Sequence, residues 1–424
     1  MSDQLAPTEL GLPRLRFALP HQAKGDALDT LSLLALLVAS SQATSKASLV
    51  EVTGLARSTV SGHVDTLLAH GILQTHGSKA IGGRGRPANR LAISPKAGLV
   101  MAVDMGAHIS RCALATLDQR LLAGAELRLD VASGPGPVMA ALKETLAELV
   151  LGPGRGYVIR FAAIGVPARV DMRTGLPVRP NLMPGWDAHP VRSEISDHFG
   201  CPAAVENDSN LRAIAEAAVL PEDQCPMVAI KVATGVGAGI IDSDGRVFHG
   251  YDGGAGDIGH VPVPGAPPIR CSCGSTGCLE TVVSLPAVAH GLQESHPELF
   301  QASQSPEDQM VHLLQASNRH AIAQVRAASE ALGQAVATVC NTLNPRRVVL
   351  GGELAAASDE VLATTRAVAY RHARPLANRN VEITNSTLGL QAGLAGAIVL
   401  AVQGALSPDN LASWIRTTPP RRFT

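Results

Sequence analysis

The tightest constraint on this chain is local: Cys271, Cys273 and Cys278 fall within eight residues, and His260 precedes the first of them by eleven. One imidazole and three thiolates make a closed tetrahedral donor set of the kind that holds zinc structurally, with no position left for a catalytic water. Gly274 and Gly277 let so short a loop double back on one ion. Disulfides or buried thiols are the competing reading, but a one-residue gap suits ligation better than cystine geometry. The other cysteines, at 112, 201, 225 and 340, are scattered. The expectation is a structural Zn2+ held by His260, Cys271, Cys273 and Cys278.

A chain of 424 residues has room for two or three domains with real cores. Its 35 lysines and arginines nearly balance 36 aspartates and glutamates, so bulk charge does not point to nucleic acid. The distribution is more telling. No acidic residue lies between Asp65 and Asp104, while Lys79, Arg84, Arg86, Arg90 and Lys96 all fall there. A basic stripe in a neutral protein suits phosphate, although the charges alone would equally suit a solvated loop. The first residues lack a secretory pattern, and the apolar run Leu31 to Ala39 is too short to cross a bilayer. A cytoplasmic protein with no membrane partner is expected, and thiolate ligation fits a reducing compartment.

Residues 1–25, with Pro7, Pro13 and Pro20, read as a loose arm. Apolar residues at 28, 31, 34, 35 and 38 then give the spacing of an amphipathic helix. Ser45 to Thr53 reads as a second helix turned by Gly54, and Ser58 to His70 as a third, closed by Gly71. Ile72 to Gly77 and Asn89 to Ile93 read as strands around a glycine-rich tip. Residues 26–95 are thus expected to form a winged helix-turn-helix. Beyond them, short apolar runs at Val100 to Val103, Cys112 to Leu117, Ala162 to Val166, Val228 to Val232 and Val348 to Leu350 alternate with helical stretches. That alternation makes an α/β body over 98–405, followed by a C-terminal tail over 406–424.

In the third helix Val60, Val64, Leu67 and Leu68 mark a buried face, leaving Ser58, Thr59, Ser61, Gly62 and Asp65 outward. Small hydroxyl side chains near a helix start suit close approach to a major groove, and Arg57 and His63 suit phosphate. The same pattern also serves as an ordinary helix cap, so turn and wing together carry the DNA-binding reading. The tip Gly83-Arg84-Gly85-Arg86-Pro87 resembles the core of minor-groove AT-hook arms. It is either such an arm or a flexible basic tip touching phosphates only.

Gly256-Asp257-Ile258-Gly259-His260, followed by the cysteine cluster and Leu279-Glu280, resembles the signature of the ROK family of sugar kinases and sugar-responsive repressors. Val103-Asp104-Met105-Gly106, Gly165-Val166-Pro167, Glu206-Asn207-Asp208, Thr234 to Gly239 and Gly351-Gly352 follow in the family's order, over about residues 98–405. The resemblance implies a two-lobed ribonuclease-H-like body of the actin and hexokinase type. It implies sugar contacts at Asn207, Asp208, Asp257, His260 and Glu280, with Asn181 as a further one. Asp257 departs from the family's glutamate by one methylene. In a kinase, Asp208 would be the base that takes the sugar hydroxyl's proton.

The resemblance also assigns a nucleotide site to Asp104, Gly106, Thr234, Gly235, Gly237, Gly351 and Gly352. The second phosphate loop, Thr234 to Gly237, reads as intact. The first reads as degraded, because Ala107 and His108 stand where the kinases carry glycine and threonine, and a Cβ is penalised at a positive-φ or phosphate-contacting position. ATP with Mg2+ is therefore not expected as a cofactor. The reading is a sugar-responsive regulator, most simply a repressor, binding double-stranded operator DNA as a homodimer or dimer of dimers. The alternatives are an ATP-dependent sugar kinase that kept a DNA-binding domain, and a regulator without a ligand.

Overall fold

The computed structural model describes residues 3–5, 15–17, 26–76, 90–179 and 183–417. The wing tip with Arg84 and Arg86, and Asn181, lie outside the described residues. The chain divides into two compact units, the first comprising 1–166, 189–206 and 397–424, the second 167–188 and 207–396.

The first unit opens with a short strand β1 (Asp3–Leu5) and the helices α1 (Ala27–Ala39), α2 (Lys46–Thr53) and α3 (Arg57–Ala69). Asp26 caps α1, and Ser45 with Ser48 forms a capping box on α2. Gly54, at φ +67°, ends α2 in the left-handed region and turns the chain toward α3. Strands β2 (Leu73–His76) and β3 (Arg90–Ile93) pair antiparallel, completing the expected winged helix. Val60, Val64 and Leu67 are buried as expected, but Leu68 is only partly so.

Further along are β4 (Leu99–Met105), β5 (Ile109–Thr116), β6 (Leu121–Arg128), α4 (Pro135–Leu151) and β7 (Ile159–Val166). A short pair β8 (Arg169–Val170) and β9 (Pro177–Val178) precedes α5 (Val191–Phe199) and β10 (Ala203–Asn207). The first unit's sheet runs β1-β6-β5-β4-β7-β10.

Three expectations about this unit are modified. Of the stretch read as a loose arm, Asp3–Leu5 adds an edge strand to β6, and Leu15 and Phe17 are buried. Gln119 binds both the N–H and the C=O of Leu15, at 3.0 and 2.8 Å. The stretch read as a tail contains a helix, Pro408–Thr417, with Leu411 and Trp414 buried. That helix packs on α1, so α1 is buried from Thr30 through Ala39 and not along one face only. The Arg160 guanidinium lies 3.7 Å over the Trp414 ring and donates to Ala97 O at 2.7 Å, tying the C-terminal helix to the segment after the wing.

The second unit carries α6 (Asp208–Val219), β11 (Met227–Val232), β12 (Val236–Ile241), α7 (Glu280–Val283), β13 (Arg347–Gly351) and β14 (Glu382–Asn385). Its sheet has the order β12-β11-β13-β14, antiparallel in the first pair and parallel in the other two. Val228, Ile230 and Val232 point to one core with the 25-residue helix Arg319–Leu343. Met227 and Ala229 point the other way, toward Ala213 of α6. Among the described residues no single helix is long and apolar enough to cross a membrane.

Candidate functional site

Every described residue of the expected metal and sugar sets belongs to the second unit. His260, Cys271, Cys273 and Cys278 converge, with one donor atom from each lying within 4.8 Å of the others. Cys273 Sγ is 3.7 Å from Cys278 Sγ, and Cys271 Sγ is 3.4 Å from His260 Nδ1. A disulfide would need sulfurs about 2.05 Å apart. A tetrahedral ion with metal–sulfur bonds of about 2.3 Å puts them about 3.8 Å apart, so the arrangement fits ligation. All seven cysteines are free thiols. In the protein alone, burial pushes the Cys278 and Cys271 thiols up, while the Ser275 backbone N–H pulls Cys273 down.

The loop holding these donors is built by close backbone approach. Gly256, at φ +91°, lies so near Ala238 O that a Cβ would stand 1.9 Å from it. His260 closes the one-turn helix Ile258–His260 and is turned so that Nδ1 faces the thiol while Nε2 lies 3.9 Å from Asp257 Oδ1. Nδ1 thus faces the cysteine donors and Nε2 the Asp257 carboxylate.

Glu280, which the resemblance assigns to the sugar set, makes contacts within the second unit. Its Oε2 accepts the Val236 backbone N–H at 3.0 Å, and its Oε1 accepts the Ser272 hydroxyl at 3.5 Å. The carboxylate therefore bridges the cysteine loop to the loop Thr234 to Gly237. Gly237 in that loop also has a packing reason, since a Cβ there would stand 2.7 Å from Ser209 Oγ.

Asn207 caps α6: its Oδ1 accepts from Ser209 N at 2.9 Å and Asn210 N at 3.2 Å, and its Nδ2 donates to Ala168 O at 2.9 Å. Asp208, at the first position of α6, is buried. Two cations that the sequence reading missed sit on the aspartates. Lys231 Nζ is 2.5 Å from Asp208 Oδ2, with side chains 12% and 6% exposed. Arg169, in β8, pairs with Asp257. Lys231 follows Met227 and Ala229 on the α6 side of β11, so strand alternation aims its ammonium at the start of α6. Contacts thus run from Asn207 through Ala168 and Arg169 to Asp257, His260 and Cys271, then through Glu280 to Val236. That chain gathers the expected polar set at one end of α6 and β12.

Asp104 to His108, expected as a first phosphate loop, lie in the first unit. Ala107 is not among the residues of positive φ, so its Cβ carries no backbone strain, contrary to one of the two penalties expected there. The turn's steric limit is Gly106, where a Cβ would stand 2.4 Å from Ile109 O. The His108 side chain is exposed and 3.8 Å from Asp130. Gly352, at φ +95°, has no room for a Cβ beside Val232 O.

On α3, Arg57, Ser58, Gly62 and Asp65 are exposed and Thr59, Ser61 and His63 half-buried, with Ser58, Gly62 and Asp65 opposite the buried Val60, Val64 and Leu67. Lys46 of α2 reaches over to this face, 2.6 Å from Asp65 and 2.9 Å from Ser61 Oγ.

The glucokinase of Thermotoga maritima is 30% identical over 318 residues, 72% of this chain and 96% of its own length. The xylose repressor of Bacillus subtilis is 25% identical over 354 residues, covering 83% of this chain and 89% of the repressor. A solved ROK family transcriptional regulator, a homologue of the E. coli MLC protein, superposes with a TM-score of 0.76 at 22% identity, over 92% of this chain and 99% of that one. A ROK family glucokinase from Streptomyces griseus, in complex with glucose and AMPPNP, gives 0.61 at 23% identity over 72% and 100%. At those identities the structural likeness concerns the fold, an N-terminal helical region followed by a mixed α/β sugar-kinase-like core. The ROK family model matches residues 100–404, and the chain belongs to the ROK family.

Proposed function

We propose that the protein is a sugar-responsive, DNA-binding transcriptional regulator, most simply a repressor, that acts as a dimer on a two-fold operator. The observation that carries this reading is the helix-turn-helix with its exposed, small-residue α3 face, joined to a sugar-kinase-like body. In support, the repressor relative aligns over more of this chain than the kinase relative does, 83% against 72%.

The polar set around Asp208, Asp257 and His260 suits the hydroxyls of a small sugar, because carboxylates accept paired hydrogen bonds. Lys231 bears on what Asp208 does there. A carboxylate paired with a buried ammonium is held in place as an acceptor for a ligand hydroxyl. Together with the substitutions at Ala107 and His108, this favours binding without phosphate transfer. The thiolate-rich donor set favours zinc, which would fix the loop that carries His260 and ties it to Glu280.

A second reading has its own support. The higher identity is to glucokinase, 30% over 318 residues against 25% over 354, and Asp208 and the second phosphate loop are retained. That combination describes an ATP-dependent sugar kinase with a DNA-binding domain. A sugar-binding screen of the full chain with and without ATP and Mg2+, followed by mass spectrometry for phosphorylated sugar, separates the two. Binding without product supports the regulator. Product formed in proportion to ATP consumed, and lost in Asp208→Asn, supports the kinase.

A further inference from the structure

We propose that Lys46, Ser61 and Asp65 form a base-reading unit, in which Asp65 accepts the exocyclic amino group of a cytosine in the major groove of the operator. This rests on the DNA-binding reading above and assigns the specificity of that surface. Asp65 lies one and two turns from Ser61 and Ser58 on the exposed side of α3, the face the winged helix would present to DNA. A bare carboxylate there would be repelled by phosphates and by the acceptor atoms of guanine and thymine.

Asp65 is not bare. Lys46 Nζ, carried across from the start of α2, sits 2.6 Å from Oδ1 and 2.9 Å from Ser61 Oγ. The ammonium cancels the charge and fixes the carboxylate's orientation. Oδ2, 3.5 Å from Ser61 Oγ, is held only at the limit of a hydrogen bond and keeps acceptor capacity. Stability does not explain the arrangement, because the two side chains are 41% and 61% exposed and such pairs contribute little. A neutralised, oriented acceptor selects an amino donor, and cytosine N4 is the usual partner of an acidic side chain.

The test is selection of binding sites from a random duplex library with the full-length protein, its Asp65→Asn variant and its Lys46→Ala variant. Wild type should enrich a half-site with a fixed cytosine whose replacement costs about tenfold or more in affinity. Asp65→Asn should change the preferred base at that position from cytosine to adenine, because an amide pairs with adenine N6 and N7. Lys46→Ala should weaken binding to all sites and leave cytosine preferred. A fixed half-site that Asp65→Asn reads unchanged, or one with no fixed cytosine, overturns the inference while leaving DNA binding intact. Failure of the wild type to enrich any sequence overturns the reading beneath it.

Discussion

Replacing Lys231 with methionine removes one partner of an ion pair that is nearly out of water, with Nζ 2.5 Å from Asp208 Oδ2 and side chains 12% and 6% exposed. Ser209 Oγ, at 3.2 Å from the other oxygen, is a weak substitute for the lost ammonium. Breaking a buried pair from one side typically costs about 3–5 kcal/mol, chiefly because the surviving charge is left unpaired. For a unit of roughly 200 residues each kcal/mol moves the melting point by about 2–4 °C, so the second unit's transition should fall by about 10 °C. Asp208→Asn alone should cost a comparable amount, by leaving the ammonium unpaired. The double variant should recover most of the loss, since two neutral groups of similar volume remain. Differential scanning calorimetry of the full chain reads all three. A Lys231→Met transition within about 1 °C of wild type would refute the buried pair, and with it the argument that Asp208 is held as an acceptor.

The metal centre predicts one tightly held zinc per chain by elemental analysis, and Cys273→Ser should lose metal and loosen the loop that carries Glu280. In the wing, Arg84→Ala with Arg86→Ala should weaken operator binding and lower the slope of affinity against salt by about two counterions, read by fluorescence anisotropy at several salt concentrations. Glu216, buried beneath Ser386, is pushed above its ordinary 4.5 by burial, against the pull of the Ser386 hydroxyl and neighbouring donors. The folded state therefore holds that proton to higher pH than the unfolded state, and stability falls as pH rises from 4.5 through the folded value. Glu216→Gln should flatten that part of the stability–pH curve, measured by thermal melts.

The parts legible in the sequence were those encoded by neighbours. Cys271, Cys273 and Cys278 announce a ligand set because their spacing is itself the geometry, and the winged helix follows from Ser45, Gly54 and Gly71 punctuating apolar runs. Lys231 was missed because a lone lysine in an apolar strand gives no sign of a partner 23 residues earlier. Arg169 was missed for the same reason, its partner Asp257 lying 88 residues on. Strand alternation could have signalled Lys231, since its parity with Met227 and Ala229 puts it on a buried face. The edge strand Asp3–Leu5 is too short and polar to show periodicity. The helix Pro408–Thr417 looked like a tail because only Leu411 and Trp414 advertise its buried side. Glu280 was identified as important, yet its hydrogen bond to the Val236 N–H is a tertiary contact that spacing does not encode.

In the proposed regulator, sugar binding in the second unit changes DNA affinity without phosphate transfer. Titration of the full-length protein onto its selected operator, with and without a bound sugar and with no nucleotide present, tests this most directly. Operator affinity should shift by roughly 5- to 150-fold, the usual size of an allosteric coupling, with the same shift in sugar affinity when operator is added. An operator affinity unchanged by a saturating sugar, or changed only when ATP is supplied and product accumulates, would contradict it.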